Sequence, residues 1–203
     1  GELGGMGLIK NAVEQGKLAM ENITGKIKNF SKSKLDVVIV GAGPSGISAS
    51  LTAKKNNLNF ITLEQDTLGG TVFAFPRAKV VMTSPMELPL HGRVKLTETS
   101  KTELLKLWND VLDKNKIKIN QSEKVLEINK NGRGFEVVTS KQTYETATVL
   151  LTIGRRGSPR KLGVPGEEKE KVAYRLLEPE LIHDQNILVV GGGDSAIETA
   201  LLL

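Results

Sequence analysis

Between residues 35 and 40 the chain is almost wholly apolar and rich in β-branched residues: Leu35, Val37, Val38, Ile39 and Val40. That is the pattern of a parallel strand buried on both faces. Gly41-Ala42-Gly43-Pro44-Ser45-Gly46 then leads into an Ala/Ser/Leu-rich stretch that reads as a helix to about Lys54. A second strand is predicted over 59–63, ending at Glu64. Upstream, Leu8, Ile9, Ala12, Val13, Ala19, Met20, Ile23 and Ile27 recur at helical spacing and predict an amphipathic helix over 8–29. Gly16 and Gly25 weaken it. Leu68-Gly69-Gly70-Thr71 reads as a turn, and the three prolines within 73–89 predict irregular chain with short strands. Ser100 with Glu103 forms a capping box ahead of Leu104, Leu105, Leu107, Trp108, Val111 and Leu112, giving a helix over 101–114. Ile117 and Ile119 make a short strand.

The second half alternates. Lys124–Asn129 and Gly134–Ser140 are half-apolar runs around Lys130-Asn131-Gly132-Arg133, a hairpin signal. Residues 143–146 add an antiparallel strand, and 147–154 return to a buried strand ending in Gly154. Pro159, Gly163, Pro165 and Gly166, with charge crowded over 167–171, break regular structure. A further apolar strand, Ile187–Val190, enters Gly191-Gly192-Gly193-Asp194-Ser195-Ala196-Ile197-Glu198 and a helix that reaches the end of the sequence. The expected fold is α/β: a Rossmann-like domain with a parallel sheet and a β-meander or hairpin insertion over 117–146, then the start of a second Rossmann-like domain. The boundaries are an N-terminal helix (1–30), the first domain (31–165), a linker (166–185) and the first βα unit of the second (186–203).

The first glycine run is a G-x-G-x-x-G between a strand and a helix, and each glycine has a physical role there. Gly41 makes the tight turn, Gly43 lets backbone approach a pyrophosphate, and Gly46 lets the helix pack on the sheet. The helix N-terminus offers N–H groups and positive dipole to phosphate. Glu64 falls 23 positions after Gly41, where a ribose-binding carboxylate is expected. The second run is G-x-G-x-x-A, with Gly191, Gly193 and Ala196. Two such units, about 150 residues apart, argue for two dinucleotides meeting across one reaction. The bland alternative is that only one of the two helices binds anything.

Composition narrows the chemistry. The 203 residues carry 28 Lys and Arg against 23 Asp and Glu, a net charge of +5 spread without aromatic interleaving, so a nucleic-acid groove is not expected. There is no cysteine, which excludes a thiol nucleophile, a dithiol or a thiolate metal site in these residues. With two histidines a zinc-type cluster is not expected either. No run approaches the ~18 apolar residues of a membrane span, and no secretory leader is evident. The expected setting is cytoplasmic. The sequence opens on Gly1 rather than Met and stops inside a helix, and reads as a fragment of a longer protein.

VVIVGAGPSGISAS with Glu64, LGGT at 68–71, ATVLLTIG at 147–154, RRGSPRKLGVPGEE at 155–168 and VVGGGDSAIETA at 189–200 stand in an order that resembles the FAD-dependent pyridine nucleotide oxidoreductases, most closely their thioredoxin-reductase-like branch. The resemblance implies FAD in the first domain and NAD(P)H in the second. It implies that Gly41, Gly43, Pro44, Ser45 and Gly46 hold the FAD pyrophosphate and Glu64, with Gln65 beside it, the adenosine ribose. Gly69, Gly70 and Thr71 would line the flavin side, Val125 the adenine, and Thr152 and Gly154 the crossing towards the second domain; Arg155 and Arg156, which follow, could meet a cofactor phosphate or be solvated linker arginines. Gly191, Gly193, Asp194, Ser195 and Glu198 would receive NAD(P)H. Gly1-Glu2-Leu3-Gly4-Gly5 and the helix after it are similar to the closing FAD segment of the same superfamily; an ordinary amphipathic helix with a glycine-rich lead is the alternative.

One departure matters. Both positions at which members of this superfamily carry a redox cysteine pair, after Gly70-Thr71 and within 167–186, lack sulfur. The expected function is hydride transfer from NAD(P)H to FAD, with electrons passing to a non-dithiol acceptor: a ferredoxin, an iron–sulfur module, a quinone or a small disulfide. A non-catalytic flavin or nucleotide sensor, or an assembly subunit, is the alternative from another class. An acceptor protein or small acceptor is the expected partner, and a homodimer is allowed for. His91 reads as a surface-loop residue that could donate a proton near the flavin. No catalytic residue is demanded by the sequence, because flavin chemistry belongs to the cofactor.

Overall fold

The structure is a computed structural model and describes residues 8–27, 35–75, 80–154, 161–174, 176, 179 and 182–203. In chain order the elements are α1 (Ile9–Ile27), β1 (Leu35–Val40), α2 (Pro44–Lys55), β2 (Phe60–Leu63), β3 (Val80–Met82), β4 (Met86–Leu88), β5 (Gly92–Val94) and β6 (Glu98–Ser100). Then follow α3 (Lys101–Lys114), β7 (Ile119–Asn120), β8 (Val125–Asn131), β9 (Gly134–Thr139), β10 (Thr143–Leu151) and α4 (Asp194–Leu202).

Six strands form one sheet in the order β7-β2-β1-β10-β9-β8. The first four run parallel to one another, and β9 and β8 are antiparallel. The apolar run at 35–40 takes the centre, and its alternation feeds two cores. Val37 and Ile39 meet Met20 of α1 and Ala49 and Ala53 of α2. Val38 and Val40 meet Leu63, Val137, Tyr144 and Val149 on the opposite side. A third core, beside α2, is built around fully buried Trp108 and Leu104 of α3, with Val13, Ile47, Leu51, Leu68, Val72 and Met86. A fully buried side chain of this size contributes about 1.5–3 kcal/mol, so α3 is a principal anchor of the turn it covers. Its capping box is complete: Glu103 N–H donates to Ser100 Oγ, and Ser100 N–H donates to the Glu103 carboxylate.

The structure corrects four expectations. Residues 143–151 form one strand rather than two. Its first half pairs antiparallel with β9 and its second half parallel with β1, so the hairpin is welded to the central sheet without a break. The hairpin turn is the two-residue Gly132-Arg133, because pairing continues to Asn131↔Gly134; Gly132 supplies the left-handed φ of 58°. Residues 80–100 are more regular than predicted: β4 pairs with β5, and this hairpin is nested inside a β3–β6 ladder. Ile187–Val190 is not a strand. It finds no ladder partner among the described residues, and Leu188 is 86% exposed, so the apolar run has nothing against which to form a sheet.

Candidate dinucleotide site

The glycine loop at the end of β1 is shaped by two internal contacts. Gly41 has φ 103°, and a Cβ there would lie 2.7 Å from the Thr152 carbonyl oxygen. A Cβ on Gly46 would fall well inside contact distance of the Gly41 carbonyl oxygen and 2.8 Å from Thr152 Oγ1. Both glycines are therefore required by the fold itself. Gly43 is different. Its backbone is extended (φ −76°, ψ −174°), and a Cβ built on it meets nothing within 4 Å. Among the described residues nothing requires glycine there. The open space lies at the N-cap of α2, where Pro44 occupies the first turn and no side chain caps the helix. The first-turn N–H groups are thus left for an outside acceptor.

Three further segments converge on this loop. Glu64, buried at the end of β2, accepts from Ala42 N–H at 2.8 Å through one carboxylate oxygen and from Asp66 N–H at 3.0 Å through the other. Each oxygen keeps a lone pair for a ligand hydroxyl. Gly69 N–H donates to the Ala42 carbonyl at 3.0 Å. Gly70, with φ 54°, sits so close that a Cβ on it would be 3.3 Å from Gly43 Cα. Thr152 ties the end of β10 to the loop: its N–H donates to the Val40 carbonyl, and its Oγ1 lies 2.8 Å from the Val40 and Gly41 carbonyl oxygens. The expected set Gly41, Gly43, Pro44, Ser45, Gly46, Glu64, Gly69, Gly70 and Thr152 is thereby brought to one place, with Thr71 half-buried in the same turn.

The rest are placed less directly. Val125 packs with the cluster holding Leu63, one residue before Glu64. Gln65 is exposed, and Gly154 adopts φ 64°, with no described residue within 4 Å of its Cβ position. Arg155, like Gly1–Gly5, lies outside the described residues. In the second motif Gly191 has φ 135°, and its added Cβ would meet Ala196 Cβ at 3.4 Å, the close packing that the small third residue permits. Gly193 is the N-cap of α4, and Asp194 and Glu198 are exposed on that helix, which also contains Ser195. His91 is exposed at the β4–β5 turn.

One position beside the site goes against its sequence pattern. Gly16 reads as a weak point of α1, yet it is buried, and a Cβ on it would collide with the Ser45 carbonyl oxygen. The glycine lets α1 cross directly over the first turn of α2. A glycine inside an otherwise regular helix is itself the signal for such an approach.

A sequence model described as "Pyridine nucleotide-disulphide oxidoreductase" matches residues 38–203, which contain both glycine motifs. The chain belongs to this family. Among its relatives, the ferredoxin–NADP reductase of Ignicoccus hospitalis is 27% identical over 169 residues, covering 83% of this chain and 52% of that protein. The bacilliredoxin reductase Bdr of Bacillus subtilis is 28% identical over 170 residues, covering 82% and 52%. A solved structure, the bacillithiol disulfide reductase Bdr of Staphylococcus aureus, superposes with a TM-score of 0.68 at 25% identity, covering 84% of this chain and 54% of that one. The chain spans about half the length of the curated relatives it matches. Membership accounts for the Rossmann-like architecture and bears out the resemblance drawn from the motifs. No helix among the described residues is long and apolar enough to cross a membrane.

Proposed function

We propose that this chain carries the FAD site, and the entrance to the NAD(P)H site, of a flavoprotein oxidoreductase that passes electrons to a non-dithiol acceptor. The observation that carries the reading is Gly43: a glycine the fold does not need, facing open space at an uncapped helix N-terminus. A pyrophosphate is the group such a cradle fits. When bound, FAD supplies the capacity to take hydride from a reduced nicotinamide and return electrons to an acceptor.

The residues of this chain bind and orient. Ser45, Gly46 and the backbone at Gly43 hold the pyrophosphate, with Pro44 fixing the helix start. Glu64, already oriented by two backbone N–H groups, presents its remaining lone pairs to the adenosine ribose, with Gln65 at its exposed edge and Val125 towards the adenine. Gly69, Gly70 and Thr71 bring backbone close on the flavin side, and Thr152 with Gly154 and Arg155 lines the crossing. Gly191, Gly193, Asp194, Ser195 and Glu198 receive NAD(P)H in a second domain that begins near residue 186, after a 31–165 FAD domain and a linker. The placement of α1 over α2 supports the reading of residues 1–30 as the closing FAD segment.

With no cysteine in the chain, the acceptor is reduced without a dithiol relay within these residues. The relatives named for ferredoxin and bacilliredoxin support a protein acceptor, and the solved bacillithiol disulfide reductase supports a small disulfide. The test is steady-state oxidation of NADPH and NADH by the FAD-loaded full-length protein with ferredoxin, a quinone and a low-molecular-weight disulfide offered in turn. Turnover with at least one acceptor supports the reading. A protein that holds FAD but consumes neither nucleotide with any acceptor would instead be a sensor or assembly subunit.

A further inference from the structure

Glu64 is fixed through its main chain as well as its carboxylate. Its N–H donates to the Asn120 carbonyl, and its carbonyl accepts from Glu123 N–H, both at 2.8 Å. Ser122 N–H reaches the Asp66 carbonyl at 3.0 Å, helped by the left-handed turn of Ser122 at φ 53°. Leu68 N–H donates to Gln121 Oε1 at 2.9 Å. Four hydrogen bonds thus clasp 64–68, the stretch that carries the ribose carboxylate into the Gly69-Gly70 turn, to residues 120–123.

The clasp is anchored by one buried acid. Glu123 is 3% exposed, and its carboxylate draws together three separate parts of the sheet. One oxygen accepts from Thr139 Oγ1 at the end of β9 and from Tyr144 OH in β10, both at 2.9 Å. The other accepts from Asn120 Nδ2 at 3.2 Å. Asn120 Nδ2 and Gln142 Nε2 also donate to Tyr144 OH, at 3.2 and 2.6 Å. Burial, and then Glu123 itself, hold the Tyr144 phenol above its ordinary range. No Lys or Arg pairs with Glu123 among the described residues. A buried carboxylate met only by neutral donors is held in place by geometry, because each donor lost leaves charge unsatisfied.

We infer that Glu123 is a positioning residue of the dinucleotide site: through the 120–123 clasp it sets the orientation of Glu64 and so the affinity for the adenosine end of the cofactor. The β8–β10 meander is then part of the binding machinery rather than a decoration of the sheet. This rests on the FAD reading above.

The test is a double-mutant cycle on FAD dissociation, read by flavin fluorescence in the full-length apoprotein, with apoprotein melting followed in parallel. Glu64→Ala weakens FAD; if it does not, the FAD reading itself fails. Glu123→Ala weakens FAD by on the order of tenfold, as loss of an orienting partner behind a ligating group does. In the Glu64→Ala background the same change costs less than about twofold, because its route to the ligand is gone. The conservative Glu123→Gln recovers part of the loss. Should Glu123→Ala not fold, Tyr144→Phe, which removes one donor, carries the same test with a loss of roughly threefold that vanishes without Glu64. Equal losses in both backgrounds, or a lowered melting temperature with unchanged FAD affinity in Glu123→Ala or Tyr144→Phe, would overturn the inference and leave Glu123 a merely structural acid.

Discussion

Gly43 and Gly46 stand three residues apart in one loop, and the structure predicts opposite consequences for the same substitution. Gly46→Ala places a methyl against the Gly41 carbonyl oxygen and 2.8 Å from Thr152 Oγ1. Neither neighbour is a flexible side-chain tip, so β1, α2 and the β10 terminus must move apart. Overpacking of this kind costs about 1–3 kcal/mol, more where backbone must shift. Gly43→Ala meets nothing among the described residues, and its extended backbone suits alanine. Two small terms then oppose each other. Removing a glycine from the unfolded chain stabilises by about 0.4–1 kcal/mol, while alanine is the poorer N-cap by a comparable amount. The apoprotein should be unchanged within about 1 kcal/mol, or roughly 3 °C in Tm for a chain of this size. The added methyl does, however, fill the open space assigned to the pyrophosphate. Losing one or two charge-assisted N–H contacts, at about 1.5–3 kcal/mol each, lowers FAD affinity by at least roughly tenfold. The assay pairs thermal unfolding of the apoproteins, followed by circular dichroism, with FAD titration. A Gly43→Ala protein that binds FAD like the parent would refute the cradle. A Gly46→Ala protein that melts like the parent would refute the packing argument.

Three other outcomes follow from the same geometry. Gly16→Ala raises the intrinsic helix propensity of α1 by about 1 kcal/mol, yet it should lower the melting temperature of the protein, because the methyl forces α1 off the Ser45 carbonyl; an unchanged or higher Tm would contradict the close approach. Thr152→Val deprives the Gly41 carbonyl of its hydroxyl partner and should cost about 1–3 kcal/mol in denaturant unfolding, whereas Thr152→Ser stays near the parent. Glu103 is held below its ordinary value near 4.5 by Ser100 N–H first, then by the Thr99 and Ser100 hydroxyl contacts. Its folded-state pKa lies below the unfolded one, so its contribution is present above the ordinary value and fades as pH falls through the folded one. Stability measured from pH 6 downwards should show that loss in the parent and less of it in Ser100→Ala.

What could be read from sequence was local and periodic. The β1–glycine–α2 unit, the capping box of α3 and the Lys124–Ser140 hairpin region each announce themselves within a short contiguous stretch, and each formed close to its expected bounds. Glu64 was legible because its spacing from Gly41 follows from the length of one helix and one strand. Strands β5 and β6 were not, because each is three residues long and buries one side chain well, Val94 and Thr99. Ile187–Val190 has the composition of a strand, but a strand is made by its neighbours, and among the described residues it has none. Glu123 carries no pattern at all. Its partners lie 3, 16 and 21 residues away on different strands, and only the folded sheet brings them together.

The central claim, that this chain belongs to a working flavoprotein reductase, is tested most directly by one anaerobic titration. The full-length protein is loaded with FAD, its visible spectrum recorded, and NADPH and NADH added separately without oxygen. The account predicts that the flavin absorbance bleaches with at least one nucleotide, and that Gly43→Ala bleaches only in proportion to the FAD it retains. A spectrum that stays unbleached with both nucleotides, or a protein that cannot be loaded with FAD at all, would contradict it.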